Sequence, residues 1–337
     1  MGKPTISDVA RLAGVSTATV SRALTGSLPV REHVKEQVQA AADSLGYAAN
    51  SIARALRQER TTNVGMIVPD LSNPFFTLLV EGVEHRLQDL QISLLLCSSH
   101  GDVTIEAERL RSLQRSQVEV VLISPTHEFE SAHALKTIAR TVPLIQIDQF
   151  ADGVETDWVG LDDALAMRTL IQHVVERGAR TAAYIGGSAT DSSARSRLDA
   201  ARAECLRQGV ALDERNVLLG SVTIAGGEAA SQRLSESGAL PDVVICGADV
   251  IAYGVLQGFD RLGIKVPADV MVTGFDDIAF SALTRLSLTT IRQPIDAIAE
   301  AAVSVVQNLM GDAPPRPPHR SVLQPELIVR DSTNRVA

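Results

Sequence analysis

Residues Thr5–Gly26 read TISDVARLAGVSTATVSRALTG. Ile6, Val9, Ala10 and Ala13 recur there at helical spacing. Thr5 with Asp8 three positions on forms a capping-box pattern, so a first helix starts after Thr5. Gly14 supplies a tight turn, and Ser16 is a suitable N-cap for a second helix from Thr17 to about Leu24. Thr17, Ala18 and Arg22 then fall on the outer face of that helix, near its N-terminal end. This is the layout of a helix-turn-helix, whose second helix reads base edges in the major groove. The stretch therefore predicts a DNA-binding head.

Beyond this stretch, Val34, Val38, Ala41 and Leu45 make one apolar stripe, which predicts a third helix over about Glu32–Leu45. Tyr47 follows. Asn50 is a candidate N-cap for the short segment SIARALRQ, residues 51–58. A segment this short is not a stable helix alone, and it is expected to fold only against a partner chain or DNA. Leu56, apolar within an exposed connection, suggests a wedge for a minor groove.

The chain has 337 residues, too many for one ordinary core. A hydrophobic content of 45% with 21% charged residues places it among globular chains rather than disordered ones. No apolar run reaches membrane-spanning length, and the N-terminal stretch has no apolar signal core, so a cytoplasmic setting is expected. Cys97, Cys205 and Cys246 lie far apart without zinc spacing, which fits a reducing compartment. Residues 1–60 carry eight Lys/Arg and five Asp/Glu, hence +3, which leaves −12 for the remainder of a chain of net charge −9. A basic head on an acidic body confines phosphate contact to the head.

From Asn63 the pattern alternates between strands and helices. NVGMIV (63–68), ISLLLC (92–97), EVVLIS (119–124) and PLIQID (143–148) read as strands, with helices over about 75–89 and 105–116. A second series begins near Leu161. It has strands at 181–186, 242–246 and 270–275 and helices near 163–177, 194–208, 225–236 and 249–262. Repeated βα units predict an α/β fold with parallel sheets in two similar lobes. The cluster Pro314, Pro315, Pro317 and Pro318 reads as a surface connection.

In open parallel sheets ligands bind beyond the carboxyl ends of the strands. Those positions hold Asn73, Phe75 and Phe76, then His127, then Asp148 in the first lobe. In the second they hold the polar loop 187–196 with Arg197, then Gly247-Ala248-Asp249, then Asp276-Asp277. Carboxylates, an arginine and aromatic rings suit a small hydroxyl-rich ligand. One of Phe75 and Phe76 is expected in the core and the other in the cleft, and one of Asp276 and Asp277 on the ligand with its neighbour structural. Arginines on helices usually just face solvent; the long polar loop before Arg197 favours the cleft. Catalytic motifs are missing: there is no phosphate loop, HExxH or GxSxG, and the seven histidines have no metal spacing. No catalytic residue, metal or cofactor is expected, only a small-molecule effector.

With head and body read, the chain resembles the lactose-repressor/galactose-repressor (LacI/GalR) family of bacterial transcription factors over essentially its whole length. The head carries DVARLAGVSTATVSRAL, then GY and an Asn opening the segment that ends ARAL. The body carries VPADV (266–270), GFDD (274–277) and TTIRQP (289–294), while NPFF (73–76) and ARSRL (194–198) look like the ribose-binding branch. The resemblance implies a three-helix head (1–49), a hinge helix and linker (50–61), and a periplasmic-binding-protein-like effector and dimerisation domain (62–337). Its first lobe would span about 62–160 and 292–321, and its second about 161–291 and 322–332. It further implies base-reading positions at Thr17, Ala18 and Arg22, with Arg22 on a guanine edge. Phosphate anchors would be Thr5, Ser16, Thr19, Ser21 and Tyr47. Asn50 would open the hinge helix, with Leu56 inserted at the operator centre beside Ala53. Phe76, Asp148, Arg197 and Asp276 match ligand contacts, with Arg197 and Asp276 holding adjacent hydroxyls.

Some positions depart from the family. Arg31 stands where Ser is frequent, Ala49 where proline is, and Ala248 where sugar binders usually carry Asn. The final DSTNRVA has no leucine heptad, so a homodimer is expected rather than a tetramer. The expected function is a repressor on palindromic double-stranded operator DNA, nucleoid-associated when bound. Its affinity would be set by a sugar, pentose-like, or a nucleoside held between the lobes. A solute-binding transport component is the alternative for the body alone, and a sugar-processing enzyme a third reading without a motif.

Overall fold

The computed structural model describes residues 4–25, 30–45, 63–236, 238–282, 287–311 and 316–334. The chain divides into two compact units, Met1–Thr61 and Thr62–Ala337. Tyr47, Asn50, Ala53 and Leu56, with the hinge segment, lie outside the described residues.

The first unit contains α1 (Ile6–Ala13), α2 (Thr17–Thr25) and α3 (Glu32–Leu45). Thr5 caps α1 in a full capping box with Asp8. Gly14 ends α1 at φ 65°, a left-handed conformation that costs a residue with Cβ energy. Ser16 Oγ accepts the Thr19 N–H at 3.1 Å and so caps α2. The three helices close on Val9, Ala10, Val20, Ala23, Val38, Ala41 and Ala42, with Val34 and Leu45 packed beside them. The predicted stripe of α3 is therefore the face that meets α1 and α2.

The second unit has two sheets. The strands of the first lobe are β1 (Asn63–Val68), β2 (Ser93–Ser98), β3 (Val120–Ile123), β4 (Leu144–Ile147) and β5 (Asp157–Leu161). Between them run α4 (Pro74–Asp89), α5 (Val103–Arg115) and α6 (Ser131–Ile138). The second lobe follows with α7 (Asp163–Glu176), β6 (Thr181–Gly186), α8 (Ser192–Gln208), β7 (Ala211–Leu219), α9 (Ile224–Glu236), β8 (Val243–Cys246), α10 (Asp249–Arg261), β9 (Met271–Asp276) and β10 (Thr289–Arg292). Then come α11 (Ile295–Met310), β11 (Arg320–Leu323) and β12 (Glu326–Ile328).

The sheet orders are β11-β5-β4-β3-β1-β2 and β12-β10-β9-β8-β6-β7. All pairings are parallel except β10 with β12. Strands such as β3, β4 and β8 are wholly buried, as parallel strands covered on both faces must be. In the first lobe α4 and α11 cover one face and α5 and α6 the other. In the second, α7 and α8 cover one face and α9 and α10 the other. The helices α9 and α10 approach so closely that a Cβ on Gly254 would lie 2.0 Å from the Ile224 carbonyl oxygen.

The chain crosses between sheets after Leu161, Arg292 and Leu323, one or two residues beyond the boundaries implied by resemblance. Leu161 pairs with Leu323 in the first sheet, so it closes that lobe rather than opening the second.

Candidate functional site

In the head, the packing of Val20 and Ala23 inward leaves Thr17, Ala18 and Arg22 exposed on the opposite face of α2. Ser16, Thr19 and Ser21 flank that face, and Thr5 sits at the start of α1. The outward set is thus a helix N-terminus with short polar side chains and one guanidinium, dimensions that fit a major groove.

In the body, the carboxyl ends of both sets of strands border one cavity of about 140 Å³. Its wall includes Asn73, Phe75, Phe76, Asp148, Gln149, Asp191, Arg197, Val222, Ala248 and Asp276. Asn73 caps α4 by accepting the Phe75 N–H at 3.1 Å. Phe75 and Phe76 meet edge to face at 5.1 Å, and both belong to the core as well as to the cavity wall. The expected division of one core ring and one cleft ring is corrected: the two share both tasks.

Arg197 on α8 sits at the centre. Its Nε donates to Asp163 at 3.0 Å, one terminal nitrogen donates to the Gly247 carbonyl at 3.0 Å, and the other lies 3.6 Å from Asp148. The guanidinium also stacks 3.7 Å from the Phe275 ring centroid. Burial opposes its charge, but Asp163, Asp148 and Asp276 outweigh that and hold its pKa above the usual arginine value. Asp276 does not pair with Arg197 directly; one of its oxygens accepts from Gln293 Nε2 at 2.8 Å. Burial pushes the Asp148 carboxyl up to about 7, with Arg197 opposing and Asp191 and Asp163 adding to the rise. Burial likewise raises Asp163, Asp191 and Asp276.

Asp148 and Asp276 have φ of 61° and 113°, conformations that side chains with a Cβ seldom adopt. Hydrogen bonds hold both. The Asp148 carbonyl accepts from Trp158 Nε1 at 3.2 Å, and its N–H donates to Val159 at 2.9 Å. Asp277 turns away to Arg330 at 2.7 Å and Arg292 at 2.8 Å, so it is the structural member of its pair. Asp249 accepts from Ile278 N–H, Ser281 and Thr290, which ties α10 to the segment after β9.

His127 does not line the cavity. Its Nδ1 accepts the Phe129 and Glu130 N–H groups, each at 3.1 Å, and so caps the turn before α6. The residue after a strand can serve the strand-to-helix turn instead of the cleft, and here it does. Sequence reasoning missed Asp163 and Gln149, reached Asp191 only as part of the polar loop 187–196, and gave Gln293 no role within TTIRQP. Asp191 caps α8 and receives Gln149 Nε2 at 2.9 Å across the lobes. The lobes are also joined by Glu128 N–H to the Thr190 carbonyl at 2.8 Å, Phe150 N–H to Ser192 at 2.8 Å, and Arg195 Nε to the buried Glu128 at 2.6 Å. Among the described residues no group of His, Cys, Asp and Glu is arranged to hold a metal, and no helix is long and apolar enough to cross a membrane. The three cysteines are unpaired.

A helix-turn-helix head with a separate two-lobed, cavity-bearing body defines a DNA-binding regulator with a ligand domain. Residues 5–50 match the bacterial regulatory proteins of the lacI family, and residues 171–333 match the periplasmic binding protein-like domain. The ribose operon repressor of Escherichia coli K12 is 32% identical over 302 residues, covering 90% of this chain and 92% of that protein. The HTH-type transcriptional regulator GalR of the same organism is 31% identical, covering 98% and 96%. Among solved structures, the lac repressor dimer bound to operator and the anti-inducer ONPF superposes with a TM-score of 0.88 at 24% identity, covering 98% of this chain and 99% of that one. The chain belongs to the lacI family of bacterial transcriptional regulators.

Proposed function

We propose that this regulator is a cytoplasmic repressor that works as a homodimer on a near-palindromic operator. Its affinity is set by a small polyhydroxylated effector, pentose-like or a nucleoside, held between the lobes. It requires no resident cofactor, and it has no enzymatic step. The observation that carries this reading is the cavity where Arg197, Asp148 and Asp276 converge beside Phe75 and Phe76 at the strand ends of both lobes. An aromatic face with charged hydrogen-bonding groups is the composition that holds a sugar. The ribose operon repressor relationship supports a sugar ligand.

For DNA, Arg22 is assigned to a guanine edge and Thr17 and Ala18 to neighbouring bases. Thr5, Ser16, Thr19 and Ser21 contact phosphates, as does Tyr47. Leu56, with Ala53 beside it, is assigned to the minor groove at the operator centre, and Asn50 to the start of the hinge helix. Leu78 on α4 and Leu96 on the adjoining edge strand β2 are exposed apolar side chains that favour pairing of two bodies. Operator sequence comes from in vitro selection on random duplexes, followed by a thermal-shift screen with pentoses, hexoses, nucleosides and phosphorylated sugars. A sugar or nucleoside that raises the melting temperature and changes affinity for the selected DNA is the expected result. Selection that enriches no sequence would refute the repressor reading.

A further inference from the structure

The charges and hydrogen-bonding groups of the cavity wall do not balance. Asp70, Asp148, Asp191 and Asp276 line it, and Arg197 is the one Lys or Arg among the described lining residues. Asp70 is occupied locally, accepting from the Ser72 N–H and hydroxyl. Asp191 spends its charge on the N-terminus of α8, where it accepts the Ser193 and Ala194 N–H groups. Arg197 is committed first to Asp163, which stands behind it at 3.0 Å. That leaves Asp148 and Asp276 with only a 3.6 Å approach to Arg197 and the Gln293 amide between them.

Several of the donors are engaged as well. Gln149 gives its amide N–H to Asp191, and Gln293 gives its own to Asp276. With the carboxyl groups ionised, flipping either amide would set an oxygen against a carboxylate. In that arrangement Gln149 Oε1 in the wall, and Gln293 Oε1 beside the Asp276 carboxyl, are buried without a donor, in side chains 6% and 3% exposed. Arg197 has already spent Nε and one terminal nitrogen inside the wall. What remains is the second terminal nitrogen of Arg197, the Asn73 amide N–H groups and the N-terminus of α10, to which Ala248 gives no side-chain cap. The N-terminus is a partial charge of about half a unit beside Asp148 and Asp276, whose burial favours a bound proton in the empty cleft and whose ionised form a cation would favour.

We propose that the effector of this cleft carries a protonated amine on its polyhydroxylated skeleton. An ammonium brings three donors and a full charge to a wall with four carboxyl groups and one guanidinium, whereas a hydroxyl brings one donor and no charge. Phosphorylated and carboxylated sugars are disfavoured by the same wall, because an anion there would face two carboxyl groups with a single guanidinium to offset it. The proposal rests on the reading of the cavity as the effector site and narrows its ligand class.

The test compares matched ligands that differ only at one terminus, using the full-length protein at neutral pH. The probes are glucamine, sorbitol and gluconate; ribitol, its terminal-amine analogue and ribonate; and ethanolamine, ethylene glycol and glycolate. Binding is read by calorimetry and thermal shift. In at least one series the amine should bind about tenfold tighter than the alcohol, and the acid should not bind. The combined Asp148→Asn and Asp276→Asn variant, checked for an intact melting transition, should lose the preference for the amine. An alcohol or a neutral sugar that binds as tightly as its amine counterpart in every series overturns the charge inference and leaves the cavity's role intact. Failure of every probe and every sugar to bind overturns the effector reading itself, and the inference with it.

Discussion

Replacing Asp148 with Asn should stabilise the ligand-free protein. The side chain is 7% exposed and follows β4 at φ 61°. Asparagine tolerates that left-handed backbone as readily as aspartate, so the change removes a charge without adding strain. A carboxyl whose midpoint moves from 3.8 to about 7 costs about 4 kcal/mol when it ionises in the folded chain. Water entering an open cleft reduces that figure, and the expected gain is about 2–4 kcal/mol near pH 8. For a domain of this size that is a rise of about 4–10 °C in melting temperature.

The pH dependence has a definite direction. Below 3.8 the carboxyl is protonated in both folded and unfolded chains. Between 3.8 and about 7 the folded chain keeps a proton that the unfolded chain has released. The contribution of Asp148 to stability is therefore present at low pH and lost as pH rises through about 7. The gain from Asp148→Asn should be small near about pH 4 and full near about pH 8. Urea unfolding of parent and variant at both pH values reads this difference. A variant no more stable than the parent at the higher pH, or an equal gain at both, would refute the reasoning.

Other contacts give further expected outcomes. Arg22→Ala should relax sequence preference at one base pair by about 1–3 kcal/mol. Equal discrimination of selected and random duplexes before and after the change would remove Arg22 from base reading. Arg195→Ala strands the buried Glu128 carboxylate at the junction of the lobes and should cost about 1–3 kcal/mol, with a larger radius of gyration in solution scattering; an unchanged radius contradicts a latch between the lobes. Gly254→Ala puts a Cβ 2.0 Å from a backbone oxygen of α9 and should cost at least about 2 kcal/mol in urea unfolding. Gly14→Ala meets no neighbour within 4 Å at φ 65°, so its cost of about 1–2 kcal/mol comes from the backbone alone and is read by weaker operator binding and a lower head melting transition.

The head is legible in the sequence because capping, turn and apolar spacing are local signals. Thr5, Gly14, Ser16 and the α3 stripe all sit where their residue types require. Buried strands with continuous apolar runs, such as β1 and β6, are legible for the same reason. The strands β5, β7 and β10 are not. The stretch ALDERNVLL of β7 is an edge strand with largely exposed polar residues. In β10, Thr289 and Thr290 are buried only because Arg330 and Asp249 satisfy their hydroxyls, and those partners lie about 40 residues away. The helices α6 and α11 are absent from the sequence reading, although Ile298, Ala299, Ala302, Val303 and Val306 of α11 have plain helical spacing. In the cleft, Arg197, Asp148 and Asp276 are legible because each stands just beyond the carboxyl end of a predicted strand or in the loop and helix that extend from it. That position alone does not show that Arg197 pairs with Asp163, or that Gln149 reaches Asp191 from the other lobe. Those contacts depend on how the two sheets face each other, which no local pattern contains.

In a ligand-gated repressor, occupation of the cleft and binding of DNA share one coupling free energy. It is tested by measuring the affinity for the selected operator with and without saturating effector, and the affinity for effector with and without operator. The two ratios should be equal and different from one, since coupling between two sites is reciprocal. An operator affinity that stays unchanged under saturating effector, with effector affinity equally indifferent to operator, would contradict it.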